Sequence, residues 1–140
     1  MSNFTEPLLV EELPSGDWIT RRELVYFVGE EDSDDKIIVP NEFITDFFSV
    51  PWPANMLIAK SQKGNAAAVL HDFLYNIIGE IKLPYNKIKR SRAQCDRILK
   101  ESMKVLMMNW FIRGTIFNAV RVGGWFAWDR QTKQLKNNVV

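Results

Sequence analysis

His71 and Asp72 stand side by side in AAAVLHDFLY (residues 66–75), and His71 is the single histidine of the 140-residue chain. An imidazole and a carboxylate in so apolar a run form either a buried polar clip or the centre of a site, because burying either one unpaired is costly. Adjacent helical residues diverge by about 100°, so the two share a target only if it lies between their faces. On that flank Ala68 and Tyr75 are neighbours of both at helical spacing. Alanine leaves room and tyrosine gives a hydroxyl. Asp46, in TDFFSVP, and Asp96, beside the apolar stripe of a later helix, are the carboxylates that could join them. One imidazole with up to three carboxylates is a hard-leaning set of N and O ligands, suited to Mg, Mn, Fe or Zn rather than to copper or a thiolate zinc site. The second histidine of a facial triad or an H-E-x-x-H site is missing.

Each of these residues also has a plainer use. A His-Asp pair on an apolar helix is commonly a hydrogen-bonded core element. Asp46 suits a turn or cap ahead of Pro51. Asp96 can pair with Arg92 or Lys100 four residues away on a wet face. Ser49, His71 and an aspartate could be assembled into a triad, but no G-x-S-x-G elbow is present. Cys95 occupies an apolar helix position and reads as core packing, not a nucleophile.

The elements that must carry these residues fall into two halves. WITRRELVYFVG (18–29) alternates like a strand, EEDSDD (30–35) reads as a solvated hairpin connection, and KIIVP (36–40) is a second short strand. NEFITDFFSVPWP runs extended into Pro51 and Pro53. Helices follow. The first covers AAAVLHDFLYNII between an Asn65 N-cap and a Gly79 stop. Ser91 and Gln94 form an S-x-x-Q capping box that opens the second at Arg92, with Cys95, Leu99, Ser102 and Leu106 on one side, flanked by Ile98 and Met103. A third covers much of 111–121, and Gly123-Gly124 should bend or end it. The expectation is one α+β domain over residues 1–140, with N-terminal antiparallel strands packed against about three C-terminal helices.

Composition narrows the partners. Eighteen basic against seventeen acidic residues, net +1, argue against a bulk electrostatic partner such as DNA or an acidic membrane, though a local patch remains open. Lys82, Lys87, Lys89, Arg90 and Arg92 with Tyr85 could contact phosphate, but a solvated loop is the commoner use of such a segment, and nucleic acid is not the expected partner. The aromatic cluster from Trp110 to Trp128 reads as core first and partner surface second. A lone cysteine excludes a disulfide framework within the chain. MSNFTEPLLVEELPSG has acidic residues where a secretory leader is basic, and 110–128 is broken by Arg113, Asn118 and Arg121, so neither a signal peptide nor a membrane span is expected.

VPNEFITDFFSVP, AAAVLHDFLY, SRAQCDRILKESM and AVRVGGWFAW resemble, in order and spacing over about residues 16–128, the phage and prophage family of domain of unknown function 1353. That family's pattern is V-P-x-G-F-x-T-D-F-A-S-V-P, A-x-x-H-D-x-L-Y, R-x-x-A-D and V-R-x-x-G. Its T-D falls on Thr45 and Asp46, its S-V-P on Ser49 to Pro51, its H-D on His71 and Asp72, its L-Y on Leu74 and Tyr75, and its R…D on Arg92 and Asp96. Asn41 stands where the pattern has glycine, which asparagine's tolerance of positive φ allows. Phe48 replaces a small residue and Cys95 an alanine. The resemblance implies a phage origin and marks the polar residues as a set, yet confers no activity.

Three functions are in view. The first is a metal-dependent hydrolase of a phosphoester or cell-wall amide acting during infection. There Asp46, His71, Asp72 and Asp96 hold one divalent ion (Mg, Mn or Zn) or supply a base, and Tyr75 or Ser49 orients substrate. The second is a tail or capsid component or assembly factor, in which the same residues are a clip and the aromatic C-terminal region meets other virion proteins. The third is a nucleic-acid or host-factor binder. Host cytoplasm or virion is the expected location.

Overall fold

Leu24 and Tyr26 are buried while Val25 and Phe27 are half-buried, the period of two that a strand with one face on a core requires. Ile37 and Val39 do the same on the partner strand, and the register sets Leu24 opposite Val39 and Tyr26 opposite Ile37. All four therefore meet the core on one face of an antiparallel hairpin. The computed structural model describes residues 3–45, 64–76 and 90–123. The described strands are β1 (Val10–Glu12), β2 (Trp18–Thr20), β3 (Leu24–Phe27), β4 (Lys36–Val39) and β5 (Ile44–Thr45). They form one antiparallel sheet in the order β1-β2-β5 and the separate β3-β4 hairpin. The acidic loop does connect the hairpin: Val28 N–H donates to Asp35 O at 2.8 Å, and Asp32 has φ 60°.

The run 18–29, expected as one strand, is split between the two sheets. Thr20 is buried at the break, where its hydroxyl donates to Pro40 O at 2.8 Å and accepts from Phe43 N at 2.8 Å. In the turn before β5 the left-handed residue is Glu42, with φ 65°, and not Asn41; counted from Val39-Pro40, the glycine of V-P-x-G-F falls on Glu42, where the backbone favours one.

Helix α1 (Asn65–Asn76) begins with Gly64 O accepting from Ala68 N at 2.9 Å, so Gly64 occupies the cap position expected of Asn65. Every residue from Ala66 to Tyr75 is buried. A helix apolar on all faces has to be central, and α1 is: it packs on β4 and β5 on one side and on α2 (Arg92–Val105) on the other. Gly79 lies outside the described residues. The capping box of α2 is as expected, with Gln94 N donating to Ser91 Oγ at 3.2 Å and Ser91 N to Gln94 Oε1 at 2.7 Å. Its far end closes on Met107, φ 59°, with Met107 N bonded to Lys104 O and Met108 N to Met103 O. Helix α3 (Trp110–Gly123) starts where Asn109 Oδ1 accepts from Phe111 N at 2.8 Å.

Two apolar clusters result. One joins the hairpin, α1 and α2 through Tyr26, Ile37, Leu70, Phe73 and Ile98; the other joins α1, α2 and α3 through Ala67, Leu99, Met103, Ile116 and Val120. The fold class is α+β, strands first, as expected. Among the described residues no helix is long and apolar enough to cross a membrane.

Candidate functional site

Asp96 lies on the buried side of α2 and is fully buried. A carboxylate there needs compensation for lost water, and three helices provide it. From α1, His71 Nε2 lies 2.8 Å and Tyr75 Oη 2.5 Å from Asp96 Oδ1. From α3, Arg121 Nη1 donates to Oδ2 at 2.8 Å. From its own helix, Arg92 Nε stands 3.9 Å from Oδ2. Arg92 also reaches across with Nη2 to Val120 O (3.3 Å) and Arg121 O (2.5 Å), capping the last turn of α3. His71 and Tyr75, one turn apart on α1, stack with ring centroids 4.2 Å apart.

The charges follow from this geometry. Burial raises the Asp96 carboxyl, but the hydrogen bonds from His71, Tyr75 and Arg121 outweigh it, and its pKa lies below the ordinary carboxylate value. Burial, and then the hydrogen bond to Asp96, push the Tyr75 phenol well up, so it stays a donor. An ionised Asp96 fixes one side of the imidazole: Nε2 carries the proton that faces it, and Nδ1 points away from the carboxylate. His71 Nδ1 is buried and has no hydrogen-bond partner among the described residues.

Sequence reasoning singled out His71, Asp72, Tyr75 and Asp96. His71, Tyr75 and Asp96 meet directly, and Asp72 is buried beside His71 on α1. Asp46 and Ser49 lie outside the described residues; Thr45, just before Asp46, is buried and closes β5, which packs on α1. Among the described residues no three His, Cys, Asp or Glu side chains cluster closely enough to hold a metal ion. Asp96 does pair with Arg92, but inside the core and not on a wet face. Cys95 is core, its thiol pushed up to about 12 by burial and then by Asp96.

Of the basic segment, 82–89 lies outside the described residues. Arg90 is taken up by Asp35 and Arg92 by α3, so neither is a spare phosphate contact. Arg121 went unassigned as a site residue. Its signal was present, since it is one of the polar interruptions of an otherwise apolar 110–128 and the arginine of the V-R-x-x-G block.

No curated protein and no solved structure matches the chain. One family model, described as a protein of unknown function (DUF1353), matches residues 18–120. The matched region runs from β2 nearly to the end of α3 and contains His71, Asp72, Tyr75, Arg92 and Asp96. The chain belongs to the DUF1353 family.

Proposed function

We propose that the protein is a hydrolase in which His71 is the general base and Asp96 the residue that orients it. The observation that carries this reading is the asymmetry of the imidazole: Nε2 is bound to a buried, ionised carboxylate, while Nδ1 has no partner among the described residues. In that arrangement Nδ1 takes a proton from water, and the hydroxide adds to a carbonyl or phosphoryl centre. Nδ1 then returns the proton to the departing oxygen or nitrogen, so that one water is divided across the broken bond. Asp96 stabilises the transient imidazolium, and Tyr75 and Arg121 hold Asp96.

If a divalent ion (Mg, Mn or Zn) is bound, Asp72 and Asp46 would be its oxygen ligands, and it would supply Lewis-acid polarisation of the bond under attack. Asp96, whose oxygens already accept from three donors, belongs behind the histidine and not in the ligand set. A phosphoester or cell-wall amide broken during phage infection is the setting we infer, on the strength of the four-block resemblance.

A second reading, a virion component or assembly factor with a structural clip, is favoured by one observation. His71, Tyr75 and Asp96 are each at most 1% exposed, and one carboxylate ties three helices together. The two readings part at His71→Gln. Glutamine keeps an N–H where Nε2 points but has no basic lone pair. Turnover of nitrophenyl phosphate and carboxylate esters and of a cell-wall muropeptide, with each cation and with chelator, is compared in the two proteins. The expected result is an unchanged melting temperature with turnover reduced roughly 100-fold or more. Equal turnover in His71→Gln, or none by the wild type on any substrate, leaves the network as a clip.

A further inference from the structure

The near-neutral total charge conceals a division. Residues 1–45 hold eleven acidic and three basic side chains, net −8, and residues 46–140 hold six acidic and fifteen basic, net +9. Between 90 and 123 there are seven basic residues and two acidic ones, and neither acid is spare. Asp96 is buried in the helix network, and Glu101 accepts from Tyr26 Oη and Gly29 N. Arg97, Lys100 and Lys104 are exposed along one side of α2, at the spacing that keeps them on neighbouring faces.

Large apolar side chains border this basic stripe. Met107 is 83% exposed, Trp110 74% and Phe111 63%, all in the turn from α2 into α3 and its first residues. Lys100 Nζ sits 4.8 Å over the Phe117 ring of α3, and at the start of that helix Trp110 and Phe111 meet edge to face at 6.0 Å. Met107 adds a conformational argument. Its φ of 59° is one that glycine adopts freely and methionine does not. The chain therefore keeps a long apolar side chain, in solvent, at a position where the backbone favours none.

We propose that this turn and the adjoining basic side of α2 dock on an anionic lipid surface, Met107, Trp110 and Phe111 entering the headgroup–acyl boundary and Arg97, Lys100 and Lys104 meeting the lipid phosphates. The chemistry matches on both counts: exposed apolar and aromatic side chains at the turn, beside exposed cations that make no ion pair among the described residues. Nucleic acid fits less well, since an aliphatic methionine at the centre offers no base a stacking face or hydrogen bond. The proposal goes beyond the hydrolase reading and does not depend on it, because docking is measured without turnover.

The test is co-sedimentation of the full chain with phosphatidylcholine vesicles and with phosphatidylcholine–phosphatidylglycerol vesicles. Binding is expected only to the second, weakening as salt is raised. The pair Lys100→Gln and Lys104→Gln should cost roughly 25-fold in affinity, about fivefold per charge. Met107→Gly should melt no lower than the wild type, since it relieves the backbone, yet bind the anionic vesicles more weakly. Equal binding to both vesicle types, no binding to either, or Met107→Gly binding like the wild type would each overturn the proposal. So would tighter retention on single-stranded DNA than on vesicles, or a self-association that the same substitutions abolish.

Discussion

Asp96 has no access to water; it accepts hydrogen bonds from one imidazole, one phenol and one guanidinium, with a second guanidinium, Arg92, 3.9 Å away. The folded-state pKa is depressed below the unfolded value of about 3.9, so the ionised group contributes stability above about pH 4. That contribution is lost as pH falls through the folded value. Asp96→Asn should therefore cost about 3–5 kcal/mol at neutral pH, because it turns an acceptor toward Arg121 into a donor. Between pH 4 and the acid limit it should also lose less stability than the wild type; urea titrations at stepped pH read both effects. His71 and Asp96 were legible as candidates because each is an ionisable residue in or beside an apolar stripe. Which donors meet on Asp96 was not legible: His71 and Arg121 each lie 25 residues away, and only the packing of α1 and α3 on α2 aims them at one carboxylate.

Local chemistry settles the helix ends, and distant contacts settle where strands stop. The capping box of Ser91 and Gln94 could be read because its two bonds span three residues. The division of 18–29 into β2 and β3 could not, because Thr20 is held by Pro40 and Phe43, more than nineteen residues on. The tie between the hairpin and α2 is of the second kind. Glu101 accepts from the hydroxyl of fully buried Tyr26 at 2.6 Å and from Gly29 N at 2.7 Å. Glu101→Ala strands that hydroxyl and should cost about 1–3 kcal/mol. Tyr26→Phe removes the stranded group, so the double mutant should lose less than the sum of the two single losses. Strict additivity in denaturant melts would mean that Glu101 and Tyr26 do not act on each other.

At the scale of the whole molecule, the order of elements was plain in the sequence, and with it a strand half ahead of a helical half. The apolar run around His71 correctly announced a buried helix. Its centrality, with the β3-β4 hairpin on one side and α2 and α3 on the other, emerged only from the fold. Net charge misled in the opposite direction, since +1 is the sum of an acidic half and a basic one. Having one imidazole in 140 residues makes the central claim directly measurable, because nitrogen-15 NMR of the ring reports His71 and nothing else. A base in this position carries one ring proton near neutral pH, on Nε2, and a lone pair on Nδ1; in Asp96→Asn that tautomer preference should weaken. A proton on Nδ1, or a ring doubly protonated throughout that range, would contradict the claim that His71 is a base held in place by Asp96.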